Sequence, residues 1–589
     1  MERLSKIFDE NKKAFAYGAG AIGASAVGFY AYKRFTQKPS VLRDAFFKTE
    51  NLSLYSAEAE RRAEVIHSVK YRLLVKLNEN EKDGFNGAFQ ASFKLNQKAE
   101  EVTFLDFQGE EISQIQVNNQ TVGADKIRFE KHRIHLPVDL LSLEKENTVS
   151  FHFKNTYVSN SAGLHYYRDP QDQGVYIYSH LEPFFCHRFF PCFDQPDIRA
   201  PLKLSVISPQ KEWNVIGNGV EKSRALPLAE TEAQKTLADL DLLVPEGGSD
   251  KGWLWDFEES PPISSYIYAL CAGEYKQINN TDKDAPTPMR IFARKSKLDF
   301  VDDKVFGVIK TGIAFYEDLF ARKFPFAKYD LIFCPEFRIS AMENVGAITF
   351  SDRYLMPKDE QTDFIKMLTS YIHLHELAHM WFGDLTTMKW WNDLWLKESF
   401  ADFCSATCMI ENPDLNSVYP HGKQLFMNFI TAALDADLAP TTHPIQTPIL
   451  HTGDATSAFD MISYRKGASW IKTMDNYIGR ESTRKGLQKY VELYAYKNAT
   501  LDDLVKCFEE AHREIEPNSN LKEWTNSWLK YSSPNQISAV VKDGAIALEQ
   551  TFAKHGDKEY RAQRVDVLVW TNENPSTPLE IKNVHVDKA

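Results

Sequence analysis

No Cys-x-x-Cys pair occurs in the 589 residues, and the seven cysteines (Cys186, Cys192, Cys271, Cys334, Cys404, Cys408, Cys507) are scattered and odd in number. Neither a zinc ribbon nor a disulfide framework is implied, and a reducing compartment is the setting favoured. Cys404 and Cys408 share a helical face at i, i+4 and read as small core residues. No long basic run is present, and 69 Lys and Arg against 81 Asp and Glu leave a net charge of −12. With no RNA- or DNA-binding motif either, nucleic acid is excluded as a partner. Internal repeats and low-complexity tracts are also missing, which removes solenoid and linker readings. What remains is a globular chain with 13% aromatic residues, long enough for about three to four domains.

Ala14 to Tyr32 is a nineteen-residue run whose only polar side chain besides its tyrosines is Ser25. Lys12-Lys13 and Lys33-Arg34 bracket it, and its length just spans a bilayer. Gly20, Ala24 and Gly28 form a small-residue face suited to packing against another membrane helix. The run is read as a single-pass anchor, giving a membrane-associated protein of undecided orientation, with a cytoplasmic location as the other reading. The letters Gly18-x-Gly20-x-x-Gly23 have no strand before them and no βαβ unit after them, so they are not a dinucleotide site.

Beyond this segment the hydrophobic period changes twice. From about Ser53 to Tyr275 it is two, as in Val69–Val75, Ala88–Leu95 and Val149–Phe153, which predicts a mostly antiparallel β domain. Phe190-Pro191-Cys192-Phe193-Asp194-Gln195-Pro196-Asp197 reads as a tight structural turn. From 276 to about 531 the spacing is helical, with helices over 363–382, 398–410, 468–477 and 501–512, broken once by a strand pair around 331–334 and 339–350. From Ile537 alternation returns and predicts the start of a β-sandwich. The expected architecture is multidomain α+β: residues 1–45 an N-terminal segment, 46–277 the β domain, 278–532 a mainly helical domain, and 533–589 a partial sandwich.

The chemistry concentrates in His375-Glu376-Leu377-Ala378-His379, followed after eighteen residues by Glu398. On a helix, H-E-x-x-H puts two imidazoles at i and i+4 on one face, where both reach one zinc ion. Glu376 then stands beside the metal's open position. A catalytic zinc keeps three protein ligands, and Glu398 on a second helix is placed to be the third. By itself the motif also fits an amphipathic helix whose histidines lie on a half-buried face.

Further motifs narrow the choice. HELAHMWFGDLTT with WWNDLWLKESFADF, Ser340-Ala341-Met342-Glu343-Asn344 and Ser463-Tyr464-Arg465-Lys466-Gly467 are together similar to the M1 (gluzincin) zinc aminopeptidases of the aminopeptidase N type. The resemblance covers roughly residues 50–575. It implies a thermolysin-like catalytic domain with one Zn(2+) per chain held by His375, His379 and Glu398. Glu376 would polarise the attacking water and pass its proton to the leaving amine. Tyr464 would donate to the developing oxyanion. Glu343 and Glu182 would bind the free α-ammonium of a peptide substrate. The substrate backbone would lie along Ser340, Ala341, Met342 and Asn344 as an added strand. Asp402, one turn after Glu398, is read from spacing alone as the acceptor of a ligand histidine's free N–H.

The chain departs from the family pattern at three places near the site. Ser340 replaces a usual Gly, so the subsite is narrowed or gains a hydrogen bond. His180 stands where Gln is common, which leaves the choice of first side chain open. Asp384 replaces a usual Asn and is expected to be tolerated. The family's large helical cap domain has no counterpart in the 589 residues, so the chain is a piece of a longer one, or a partner chain supplies the cap, or the site is open. The leading expectation is a zinc aminopeptidase removing single N-terminal residues. The competing one is a catalytically weak M1-derived structural subunit of a membrane assembly, against which the intact ligand and acid/base set argues. The leukotriene-A4-hydrolase branch is disfavoured by Ser340-Ala341 and by the strand-like tail.

Overall fold

A computed structural model describes residues 53–240, 252–542, 545–571 and 574–586. The run at 14–32 lies outside them. The membrane-associated localisation expected from it is corrected, because no helix of the described residues is long and apolar enough to cross a membrane.

The first half is built on two main β-sheets and a small three-stranded one, Phe104–Asp106, Arg133–His135 and Arg128–Glu130. The larger has eight strands, with Ile66–Leu77 at its centre between Phe85–Leu95, which runs antiparallel to it, and Leu202–Ser208, which runs parallel. The alternation that predicted these strands is expressed as two faces. Tyr71, Leu73, Val75, Phe89 and Phe153 join the main core, while Leu74, Ala88 and Leu254 pack on Ala233 and Leu237 of the helix Thr231–Asp239. The smaller sheet has the order Asn214–Gly217, Leu270–Gly273, Val175–His180, Gly163–Arg168. Its strand Val175–His180 leads directly to Glu182. The turn Phe190–Asp197 is buried and structural as expected: the Phe193 N–H donates to the Tyr71 hydroxyl, and Asp194 accepts from Ser265 and from the His187 backbone.

The second half contains more sheet than its helical spacing predicted. Lys276–Asn279, Met289–Ala293, Tyr329–Cys334, Ala347–Ser351 and Ala341–Met342 form one five-stranded sheet in that order. The expected boundary at 277/278 therefore falls inside a strand. Only the 329–351 part was visible as alternation, because buried parallel strands carry apolar residues on both faces and lose the period-two signal. Ala341–Met342 is the sheet's edge, paired on one side with Ala347–Ser351. Helices Val305–Phe320, Asp363–His379 and Leu394–Glu411 pack on one another, and Asp363–His379 lies against the edge strand Ala341–Met342. All seven cysteines are buried and free, as the spacing argued.

The region expected to begin a partial C-terminal sandwich does form strands. Asn535–Lys542 with Ala545–Phe552, and Gln563–Thr571 with Asn574–Val586, are two separate antiparallel hairpins. Val541, Ile546, Leu568 and Leu579 are exposed on them, so among the described residues no second layer covers their apolar positions. Arg561 ties the hairpins to the helix Leu521–Leu529 by donating to the carbonyls of Ser527, Tyr531 and Ser532.

Candidate metal centre and active site

The helix Asp363–His379 starts at Thr362, whose hydroxyl accepts the Ile365 N–H, and carries both histidines on its buried last turn. Chain exit depends on Gly383, whose φ of +135° and 3.0 Å clearance between an added Cβ and His379 Nδ1 leave no room for a side chain. The helix Leu394–Glu411, buried over nearly its whole length, presents Glu398 and Asp402 to the first helix.

Each imidazole spends its Nδ1 proton on a fixed acceptor. His375 donates to Asp402 Oδ1 at 3.0 Å, and His379 to the Phe382 carbonyl at 3.1 Å. Both Nε2 lone pairs are thereby turned to one point, where they stand 3.1 Å apart. Glu398 Oε2 completes the triangle at 3.3 Å from His375 Nε2 and 3.6 Å from His379 Nε2. A tetrahedral zinc with bonds of about 2.0–2.1 Å places its ligands about 3.3 Å apart. The donor set therefore fits that ion, and two facing lone pairs beside a carboxylate call for a cation between them. With protons alone, burial opposes a charge on His375, but the bonds to Asp402 and Glu398 outweigh it and lift the imidazole to about 10.

Asp402 was legible from spacing, and its environment explains its role. It is fully buried and receives, besides His375, the Tyr371 hydroxyl at 3.1 Å and Arg465 Nη1 at 2.5 Å. Arg465 lay inside a quoted motif without an assigned part. Its guanidinium also donates to Tyr371 and stacks on Phe429, so the carboxylate is held from two elements.

Glu376 is 5% exposed, and its carboxylate lies within 4.8 Å of both His379 and Glu343. Burial pushes its carboxyl well above the usual range, and Glu343 and Glu398 add to this. Beyond it lies a residue that sequence reasoning missed. Lys397, 2% exposed, places Nζ 2.7 Å from Glu343 Oε1, 2.7 Å from Glu182 Oε1 and 2.5 Å from Glu398 Oε1. The two predicted amine-binding carboxylates and the third ligand thus converge on one ammonium. The available signal was a lysine within an otherwise apolar helix start, Leu394-Trp395-Leu396. Burial raises Glu182 to about 8 against the pull of Lys397, whereas Lys397 overcomes burial at Glu343 and holds it below its ordinary value.

Ala341 and Met342 pair inward with Phe350 and Thr349, leaving the outer edge of the strand without a strand partner among the described residues. Asn344 is fully buried and structural: its amide donates to Thr349 and its carbonyl accepts the Ala347 N–H. The Ser340 hydroxyl accepts from Tyr354 at 2.9 Å and Arg353 at 3.0 Å, so this departure adds hydrogen bonds. His180 is half-buried, edge-on to Phe337 at 5.5 Å, and burial lowers its imidazole to about 4, leaving it neutral. Asp384 is fully buried with neither carboxyl oxygen hydrogen-bonded. Burial, with nearby Glu343 adding, raises its carboxyl well above the usual range against the pull of Lys397 and Arg199.

Tyr464 lies across the site, its ring nearly parallel to that of His375 at 6.2 Å. Burial raises its hydroxyl well above 10, so it stays a donor. It sits on a single π-helical turn, Ile462–Lys466. A cavity of about 1160 Å³ lies beside the N-terminal part of the Asp363–His379 helix, against Phe364, Met367 and His373. It contains none of these carboxylates.

A sheet-edge strand beside two histidines and a glutamate that converge at one point, with a further buried glutamate next to them, is an arrangement suited to a metallopeptidase. The chain belongs to peptidase family M1. Residues 67–236 match the Peptidase M1 N-terminal domain and residues 305–528 the Peptidase family M1 domain. It is 33% identical over 506 residues to an aminopeptidase N from Streptomyces lividans, covering 85% of this chain and 54% of that protein. A probable aminopeptidase 2 from Sulfurisphaera tokodaii is 34% identical over 412 residues, 69% of this chain and 48% of the relative. A leucyl aminopeptidase from Saccharolobus solfataricus is 28% identical over 496 residues, 82% and 57%. The chain spans about half the length of the curated relatives it matches.

Proposed function

We propose that this chain is a zinc-dependent aminopeptidase that removes single residues from the free N-termini of peptides, with a thermolysin-like catalytic domain that begins at the strand Lys276–Asn279. The observation that carries the reading is the convergence of His375, His379 and Glu398 beside Glu376, with Glu343 and Glu182 held next to them. His375, His379 and Glu398 would hold the ion, which when bound supplies Lewis acidity that makes a water nucleophilic near neutral pH.

The chain's own groups do the rest. Glu376, raised by burial, accepts the proton of the attacking water and returns it to the leaving amine. Tyr464 donates its hydroxyl to the oxygen that gains charge as the carbonyl becomes tetrahedral. Glu343 and Glu182 take the substrate α-ammonium in a charge-assisted contact, replacing part of what Lys397 gives them. That contact limits cleavage to the first peptide bond. The outward edge of Ala341–Met342 takes the peptide backbone as an added strand, with Ser340 and Asn344 bracketing it. No ligand or acid/base position is lost, which leaves the structural-subunit reading without support.

The test offers the zinc-loaded full chain one peptide in free and N-acetylated forms. Stepwise release of single residues from the free form alone is expected. Equal cleavage of both forms would remove the amine anchor, and cleavage of neither at stoichiometric zinc would remove the enzyme reading.

A further inference from the structure

We infer that Asp460 and His443 form a positioning pair that sets where the Tyr464 hydroxyl stands, and so act on the reaction without touching substrate. The inference rests on Tyr464 serving as the oxyanion donor.

Tyr464 is carried by a wide turn that regular helix does not provide. Ile462–Lys466 is π-helical, inserted immediately before the α-helix Gly467–Ile478. A turn of this kind leaves backbone N–H groups unpaired and needs outside partners to persist. Asp460 supplies them. Its Oδ1 accepts the N–H of Ile462 at 3.0 Å and of Ser463 at 2.9 Å, and its backbone carbonyl accepts the N–H of Tyr464 itself at 3.1 Å.

The other carboxylate oxygen is held in turn. His443 Nε2 lies 2.6 Å from Asp460 Oδ2, while its Nδ1 lies 2.7 Å from the Pro444 carbonyl. An imidazole with an acceptor at each nitrogen donates from both, so the pair fixes the carboxylate's rotation as a hinge pin would. The far side of the turn is clamped independently. The Ser463 carbonyl accepts from Ser399, next to Glu398, at 2.6 Å, and Arg465 pairs with Asp402.

The ring of Tyr464 therefore hangs between a clamp on the ligand helix and a clamp made of Asp460 and His443. The His443 and Asp460 side chains are each 32% exposed, in contrast to the buried His375, His379 and Glu398. Misplacing a catalytic donor by about 1 Å is enough to cost ~100-fold in rate.

The experiment uses the full chain loaded with zinc, its metal content measured for every variant, and alanyl- and leucyl-p-nitroanilide as probes. Tyr464→Phe is the benchmark, expected to lower kcat about 100- to 1000-fold. Asp460→Ala is expected to lower kcat about 100-fold with KM within about threefold and zinc content unchanged. His443→Ala should lose about tenfold, and His443→Gln, which keeps one donor, only about threefold. The decisive readout is the double variant Asp460→Ala/Tyr464→Phe, which should be no slower than Tyr464→Phe alone, because Asp460 acts only through that hydroxyl.

Multiplying losses in the double variant, or a kcat within twofold of the parent in Asp460→Ala, would overturn the inference. If Asp460→Ala does not fold, the His443 pair decides: equal rates for Ala, Gln and the parent refute it. A Tyr464→Phe protein with full activity removes the oxyanion-donor reading and this inference with it, whereas the outcomes above strike the positioning pair alone.

Discussion

Lys397 gives the most exacting test of the site's electrostatics, because one ammonium there compensates several buried acids. Its Nζ touches Glu182, Glu343 and Glu398, and Glu376 lies within 4.8 Å of Glu343. At an effective dielectric of about 20, one ammonium–carboxylate contact is worth about 4 kcal/mol with charge centres about 4 Å apart. Three contacts make a gross attraction of about 12 kcal/mol, from which burial of the ammonium and repulsion among the carboxylates subtract most. Removing one partner of a buried ion pair ordinarily costs about 3–5 kcal/mol, since the remaining charges are stranded. Lys397→Met, similar in length and apolar, should therefore destabilise the metal-free chain by about that amount. Zinc brings a second positive centre to Glu398, so the loss should be smaller in the zinc-loaded protein. Urea denaturation followed by fluorescence, with chelator and with saturating zinc, measures both. An equal loss in the two conditions, or none without metal, would refute the view that Lys397 is the charge balance of this centre.

Three other perturbations follow from the same geometry. Asp402→Asn keeps the shape but weakens the acceptor that orients His375, and should lower zinc affinity about 10- to 100-fold in a chelator competition. Gly467→Ala places a Cβ 1.9 Å from Ser399 Oγ and should cost about 1–3 kcal/mol in the same denaturation assay, part of it recovered by Ser399→Ala. His165 is buried, and burial, with Arg338 adding, holds its imidazole near 4 against 6.5 in the unfolded chain. Between those values the unfolded chain binds the proton that the folded one refuses, so stability falls with falling pH. The slope from this group is about 1.4 kcal/mol per pH unit, and His165→Phe should flatten it over that window; an unchanged slope would place the titration elsewhere.

The side chains whose proximity was legible in the chain are those whose geometry is local. His375, Glu376 and His379 are fixed relative to one another by helical periodicity, and Asp402 is set one turn from Glu398 by the same rule. Strands such as Val69–Val75 announced themselves because one face of each differs from the other. Where both faces are buried, as in Met289–Ala293, that contrast vanishes and the strand was missed. The C-terminal hairpins show the reverse case: alternation predicted strands, which formed, but alternation does not say what covers them.

The amino-acid sequence by itself determined the family and singled out His375, Glu376, His379 and Glu398, because each stands in one short motif. Only the tertiary structure decided that Lys397 would stand among Glu182, Glu343 and Glu398, that Arg465 would brace Asp402, and that Asp384 would be buried with neither carboxyl oxygen hydrogen-bonded. Lys397 and Glu343 are 54 positions apart, and Arg465 and Tyr371 94. Electrostatic balance in a buried site depends on distances that packing sets between remote segments, and no periodicity along the chain encodes them.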